Sequence, residues 1–138
     1  MPIMNWDQTL DIGVEAMNSD HRDILDAMNT IFDAHQAGQT GDAINKLVAK
    51  LGDVCIRHFS DEEEFMLKTN YPALNTHKII HKQLLENYTK HAEAIKTAGG
   101  KANDDFFGFL KRWLVAHIKG IDIKYATHAN ATPERKAS

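Results

Sequence analysis

The placement of proline constrains this chain more than any other feature. Pro72 is the one internal proline, since Pro2 and Pro133 lie at the ends of the 138 residues. Two long stretches therefore carry no residue that breaks a helix by removing an amide donor. Each is interrupted by a glycine-containing segment, QAGQTGD at 36–42 and AGGKAND at 98–104, and such segments mark connections rather than element interiors. Four helical segments with short connections follow. Strand-type alternation of apolar and polar residues is absent.

Three- and four-residue spacing of apolar residues supports each helix separately. In the first, His21, Ile24, Leu25, Met28, Ile31, Phe32 and His35 share a face, and Asn18 or Ser19 is placed to cap its start. The second carries a continuous stripe from Ile44 through Leu51, Cys55, His58, Phe59 and Glu62 to Met66. The third runs inward through Leu74, His77, His81, Leu84, Tyr88 and Ile95, with Pro72 predicted in its first turn. The fourth, capped by Asn103 or Asp104, carries Phe106, Phe109, Leu110, Trp113, Leu114, His117, Ile118 and Ile121. Residues 1–17 read as an irregular arm anchored by Trp6, and residues 126–138 as a polar tail. The expected fold is all-α: one domain over residues 1–138, an antiparallel up-down-up-down four-helix bundle with an N-terminal arm.

Composition narrows the function classes. With 16 Lys and Arg against 19 Asp and Glu, the formal charge is −3 and the basic residues are scattered, so nucleic-acid binding has no electrostatic footprint. No run of about 18 apolar residues suggests a membrane span, and the opening lacks the basic and apolar pattern of a secretion signal. Cys55 is alone, which suits a reducing compartment. A monomeric, cytoplasmic protein is expected. Eight histidines in so short a chain direct attention to metals.

Polar residues interrupt the apolar stripe of every helix: His21, then His58 and Glu62, then His77 and His81, then His117, with Asp122 just beyond. A buried, ionised Glu62 without a partner costs several kcal/mol, whereas a cation supplies one. His58 with Glu62 and His77 with His81 are four apart, so each pair points from adjacent turns toward one place. In an antiparallel bundle the end of helix two, the start of helix three, the start of helix one and the end of helix four share one level. All seven groups converge there. Asp122 is the exception in spacing, because five residues turn it about 140° away from His117 in a regular helix; a wider turn, which Gly120 is placed to permit, brings it back.

Lys78 after His77 excludes the HExxH pattern of zinc proteases. Seven candidate ligands exceed the four of a structural zinc, and five imidazoles do not suit magnesium or calcium. Two transition-metal ions sharing carboxylate bridges fit, with iron and manganese the leading choices. His35, His91 and His128 fall away from this level, and Asp61, Glu63 and Glu64 read as solvated.

His21, HFSDE at 58–62 with Met66, HKIIH at 77–81 and WLVAHIKGID at 113–122 together resemble the signature of the hemerythrin family, across nearly the whole chain. The resemblance implies reversible dioxygen binding, as carrier, store or delivery protein, at a non-haem di-iron centre with an oxo or hydroxo bridge. It implies that His77, His81 and His117 hold one iron, that His21 and His58 hold the other, and that Glu62 and Asp122 bridge them. Ile24, Phe59, Trp113 and Leu114 match positions that line the family's oxygen pocket. The partners implied are dioxygen and an oxygen-consuming enzyme as recipient, and no catalytic activity is expected. The alternatives on the same scaffold are a di-iron enzyme handling peroxide or nitric oxide, and an oxygen or redox sensor acting through a separate partner.

Overall fold

The computed structural model describes residues 5–131. Among them are four long helices and no strand: α1 (Glu15–Gln36), α2 (Asp42–Lys68), α3 (Leu74–Thr97) and α4 (Asp104–His117). A π-helical segment, Ile118–Asp122, continues α4 into a short fifth helix, α5 (Ile123–Ala131). The all-α four-helix fold expected from the sequence is found. None of the described helices is long and apolar enough to cross a membrane.

Each helix buries the stripe its sequence marks. Ile24, Met28 and Ile31 of α1, Ile44, Leu51 and Met66 of α2, and Phe106, Leu110 and Leu114 of α4 meet in one core. Full burial of such a side chain is worth roughly 1.5–3 kcal/mol. Ring contacts close the bundle around α4. Phe32 of α1 meets Phe107 edge-on at 5.1 Å, and Tyr88 and His91 of α3 meet Phe106 and Phe109.

The ends of the helices differ from expectation in four places. Asn103 does cap α4, accepting from the Phe106 amide. Asn18 and Ser19, however, lie inside α1, which begins at Glu15. Asn18 accepts from the Ile12 amide and donates to Asp11, so its polar groups tie the arm to the helix instead of capping it. The arm, expected to be irregular over 1–17 and held by Trp6, contains a 3-10 turn at Gln8–Leu10 and sends Leu10 and Ile12 into the core. Trp6 stays half-buried beneath the Arg22 guanidinium at 4.6 Å. Pro72 sits in the turn before α3, not in its first turn. The segment expected as a polar tail, 126–138, is helical as far as Ala131 and buries Ala126 and Ala129, residues too small to make a conspicuous stripe. Residues 1–4 of the arm and 132–138 of the tail lie outside the described residues.

The α1–α2 and α3–α4 connections meet at one end of the bundle and leave the other end to the polar residues. The Gly41 amide donates to the Gly99 carbonyl at 3.0 Å. A Cβ on Gly100, which has φ +79°, would stand 2.3 Å from the Gly41 oxygen. Gly100→Ala is therefore expected to combine a backbone strain of about 1–3 kcal/mol with a displaced Gly41 backbone. Gly38→Ala, at φ +84° in open space, carries the strain alone. Urea unfolding checks this: the Gly100 variant should have the lower midpoint, and equal midpoints would show that the close approach is unimportant.

Candidate metal centre

At the end opposite these connections, the start of α1 supplies His21 and the C-terminal half of α2 supplies His58 and Glu62. The start of α3 supplies His77 and His81, and the end of α4 supplies His117, with Asp122 closing the π-helical segment. The seven side chains predicted to converge do so, and none is more than 5% exposed.

Their facing atoms are close. Glu62 Oε1 lies 3.2 Å from His58 Nε2 and 3.1 Å from His81 Nε2. Asp122 Oδ1 lies 3.1 Å from His77 Nε2 and 2.9 Å from His117 Nε2, while Oδ2 lies 3.0 Å from His21 Nε2. The atoms form two overlapping groups, Glu62 with His77, His81 and His117, and His21 with His58, Glu62 and Asp122; within each group all lie within 4.8 Å of one another. Both carboxylates thus stand between a set of three imidazoles and a set of two.

Asp122 reaches this place through the wide turn that its spacing requires. A π-helical segment takes more residues per turn than an α-helix and so returns the carboxylate to the side of His117. Gly120 is not what makes the turn possible. Its φ lies outside the left-handed region, and a Cβ there would meet nothing within 4 Å. The turn is stabilised instead by the contacts of Asp122 with His21, His77 and His117.

Three further residues complete the surroundings. The imidazole of His58 donates from Nδ1 to Asp20 at 3.0 Å, and that of His81 donates from Nδ1 to Glu63 at 2.9 Å. Each bond fixes the tautomer and ring orientation and leaves Nε2 as the inward donor atom. The Tyr125 hydroxyl donates to Glu62 Oε2 at 2.7 Å. Sequence reasoning placed Glu63 in solvent, but its half-buried side chain reaches across from α2 to α3. Asp20 and Glu63 give no periodic signal, because only the packing of one helix on another brings them to a histidine. Tyr125 does carry one, standing three residues after Asp122 on the continuing helix. Asp61 and Glu64 are exposed as expected. His35, His91 and His128 stay away from the cluster, against Phe107, Phe109 and the Thr69 carbonyl respectively.

The four predicted pocket residues are all buried near this level. Phe59 stacks on His81 with ring centres 4.0 Å apart and 7° between planes, and meets Trp113 edge-on at 6.0 Å. Ile24 and Leu114 lie one turn from His21 and His117 on their helices.

Electrostatics explain why the cluster suits cations. Burial alone would raise both carboxyl pKa values. Against that, the close imidazoles of His58, His21 and His81 hold Glu62 well below the usual carboxylate range, and Asp122 is held down by His117 and His21 despite Glu62 beside it. His58 shows the reciprocal effect: burial opposes its charge, but Glu62 and Asp20 raise it to about 10. His21 is raised as well, against burial, by Asp122 and Glu62. Meanwhile His58 Nε2, His77 Nε2, His81 Nε2, His117 Nε2, Glu62 Oε1 and Asp122 Oδ1 are buried without a hydrogen-bond partner. Buried polar atoms of this number require partners, and imidazole nitrogens with carboxylate oxygens are the donor set of first-row transition metals. The residues present fit two such ions.

A helical bundle with a buried, histidine-rich site for a pair of metal ions is the class that fold and site define. Residues 12–129 match the hemerythrin HHE cation binding domain, and the chain belongs to the hemerythrin family, as the sequence motifs indicate. It is 29% identical over 131 residues to a bacteriohemerythrin of Stenotrophomonas maltophilia (strain R551-3), spanning 95% of this chain and 84% of that protein. It is 33% identical over 120 residues to a myohemerythrin of Riftia pachyptila, spanning 87% and 88%. A crystal structure of a hemerythrin leucine-to-alanine mutant matches with a TM-score of 0.82 at 27% identity, covering 95% of this chain and all of that one.

The raised His58 pKa has a consequence for the metal-free protein. A group whose pKa is higher folded than unfolded stabilises fully below the unfolded value, about 6.5 for histidine, and loses that contribution as pH rises through the folded value. For His58 the window closes near about 10. The lowered carboxyls act oppositely, contributing above their unfolded pKa of about 4 and losing that as pH falls. The metal-free protein should therefore melt at progressively lower temperature from about pH 6.5 upward, whereas the metal-loaded protein, in which a cation replaces the proton, should not. Calorimetry with chelator and with ferrous iron checks this; a flat metal-free profile across that range would contradict it.

Proposed function

We propose that this chain is a reversible dioxygen carrier with a di-iron centre, in which His77, His81 and His117 hold one iron, His21 and His58 hold the other, and Glu62 and Asp122 bridge them beside an oxo or hydroxo group. The observation that carries the reading is the convergence of five buried imidazoles and two buried carboxylates from all four helices of a hemerythrin-family bundle. When bound, the pair of ferrous ions supplies the two electrons that reversible capture of dioxygen takes up.

The division of ligands gives the site a direction. Three imidazoles and two carboxylates would hold one ion, and two imidazoles with the same two carboxylates would hold the other, which would leave room for dioxygen on the His21 and His58 side. Ile24, Phe59, Trp113 and Leu114 form the dioxygen pocket. They bring apolar surface and no titratable group, so water and anions are kept out and no acid or base stands ready to drive further chemistry. That lining favours a carrier over an enzyme acting on peroxide or nitric oxide. Asp20 and Glu63 keep the rings of His58 and His81 aimed inward, and Tyr125 holds one oxygen of Glu62 in place.

The carrier works as a cytoplasmic monomer that supplies an oxygen-consuming enzyme. Burial of the lone Cys55, with its thiol pushed up to about 12, leaves it inert and in keeping with a reducing compartment. The large hydrophobics exposed among the described residues, Ile56, Leu67 and Ile79, are too few for the roughly 800 Å² per partner that a stable dimer buries.

Alternating oxygen and argon over the reduced, iron-loaded protein tests the reading. The visible absorption should appear under oxygen and disappear under argon through repeated cycles. Consumption of oxygen with an absorption that does not return under argon would identify an enzyme instead.

A further inference from the structure

Two depressions on one side of the bundle share walls with the dioxygen pocket proposed above. The outer one is a groove between α2 and α3 that reaches Phe59, His81 and Leu85 and is bordered by the exposed side chains of Lys78, Lys82 and Lys90. The inner one is a small void beneath it. Phe59 and Leu85 belong to both, and Cys55, Leu84, Tyr88 and Trp113 continue the inner wall. Phe59 and Trp113 are in turn members of the proposed pocket. Groove, void and pocket therefore follow one another through shared side chains.

The chemistry changes along this line. The groove is charged at its border, where Glu63 and Glu86 accompany the lysines. The void is apolar. Burial keeps the Cys55 thiol neutral, and the Tyr88 hydroxyl is engaged with the Val48 carbonyl. Apolar voids of about 10 Å³ in proteins stay dry. Leu85, half-buried, is the flexible side chain between void and groove, and rotamer changes at such positions are fast on the timescale of ligand binding. On the adjacent face, the depressions between α1 and α2 are lined by charged residues such as Asp23, Asp26, Lys50 and Arg57; they reach His58 but none of Ile24, Phe59, Trp113 or Leu114.

We propose that dioxygen reaches and leaves its pocket between α2 and α3, through a neck formed by Phe59 and Leu85. The proposal rests on the dioxygen-carrier reading above. Its physical advantage is discrimination by polarity: a hydrated anion attracted by Lys78 or Lys82 must shed its water to pass the neck, whereas dioxygen sheds almost nothing.

A route has a kinetic signature that a binding residue lacks. Narrowing a passage used in both directions slows association and dissociation by one factor and leaves Kd unchanged, because Kd depends only on the end states. Leu85→Trp narrows the neck and Leu85→Ala opens it. Oxygen association and dissociation are measured by stopped flow and flash photolysis on the iron-loaded protein. Both rates are expected to fall about tenfold in Leu85→Trp, a barrier increase of about 1.4 kcal/mol, and to rise in Leu85→Ala. Unchanged rates in both Leu85 variants would overturn the route, as would a changed Kd carried by one rate alone. Should Leu85→Trp fail to fold, Leu85→Ala still decides. Failure of oxygen cycling in the parent would count against the carrier reading, whereas intact cycling with unaltered variant rates counts against the route only.

Discussion

Glu62 and Asp122 are fully buried in a protein core and remain ionised there, and everything else about this molecule accommodates that fact. Two buried negative charges demand positive partners, since an uncompensated one costs several kcal/mol or forces protonation. Five imidazoles at 2.9–3.2 Å answer part of the demand. Protons on His58 and His21 can answer the rest when metal is lacking, as their raised pKa values indicate. Divalent metal answers it better, because one pair of ions satisfies the two carboxylates and the partnerless imidazole nitrogens together.

The architecture follows from gathering those groups at one level. Short connections at one end, locked where Gly41 meets Gly100, set the helices antiparallel and free the opposite end for the ligands. The bundle also keeps that end dry. Phe59 stacked on His81 and Trp113 set against Phe59 place aromatic surface next to the histidines, and the arm adds Leu10 and Ile12 to the same core. Outside the ring of ligands, Asp20, Glu63 and Tyr125 hold donors in fixed orientation, which divides the work between residues that bind and residues that aim.

How much of this could be read from the amino-acid order depends on the range of each interaction. The stripe of α2 and the paired spacings His58–Glu62 and His77–His81 were legible because helical periodicity is local. Asp122 was legible as a constraint: its five-residue spacing from His117 demanded a wide turn, and the turn is there, although Gly120 is incidental to it. Glu63 and Asp20 were not legible, because their partners stand 18 and 38 residues away on other helices. Asn18 was misread for a related reason. A cap and an internal tie use the same side-chain chemistry, and only the path of the arm decides between them. The burial of the arm and the helix α5 escaped notice because Leu10, Ile12, Ala126 and Ala129 are buried without forming a periodic stripe of large residues.

The central claim, that two cations complete the electrostatics of this core, is tested most directly by anaerobic titration of the chelated protein with ferrous iron, following thermal unfolding and bound metal on the same samples. The melting temperature should climb until two ions per chain are bound and then stop. Saturation at one ion, or a melting temperature indifferent to iron, would contradict the account.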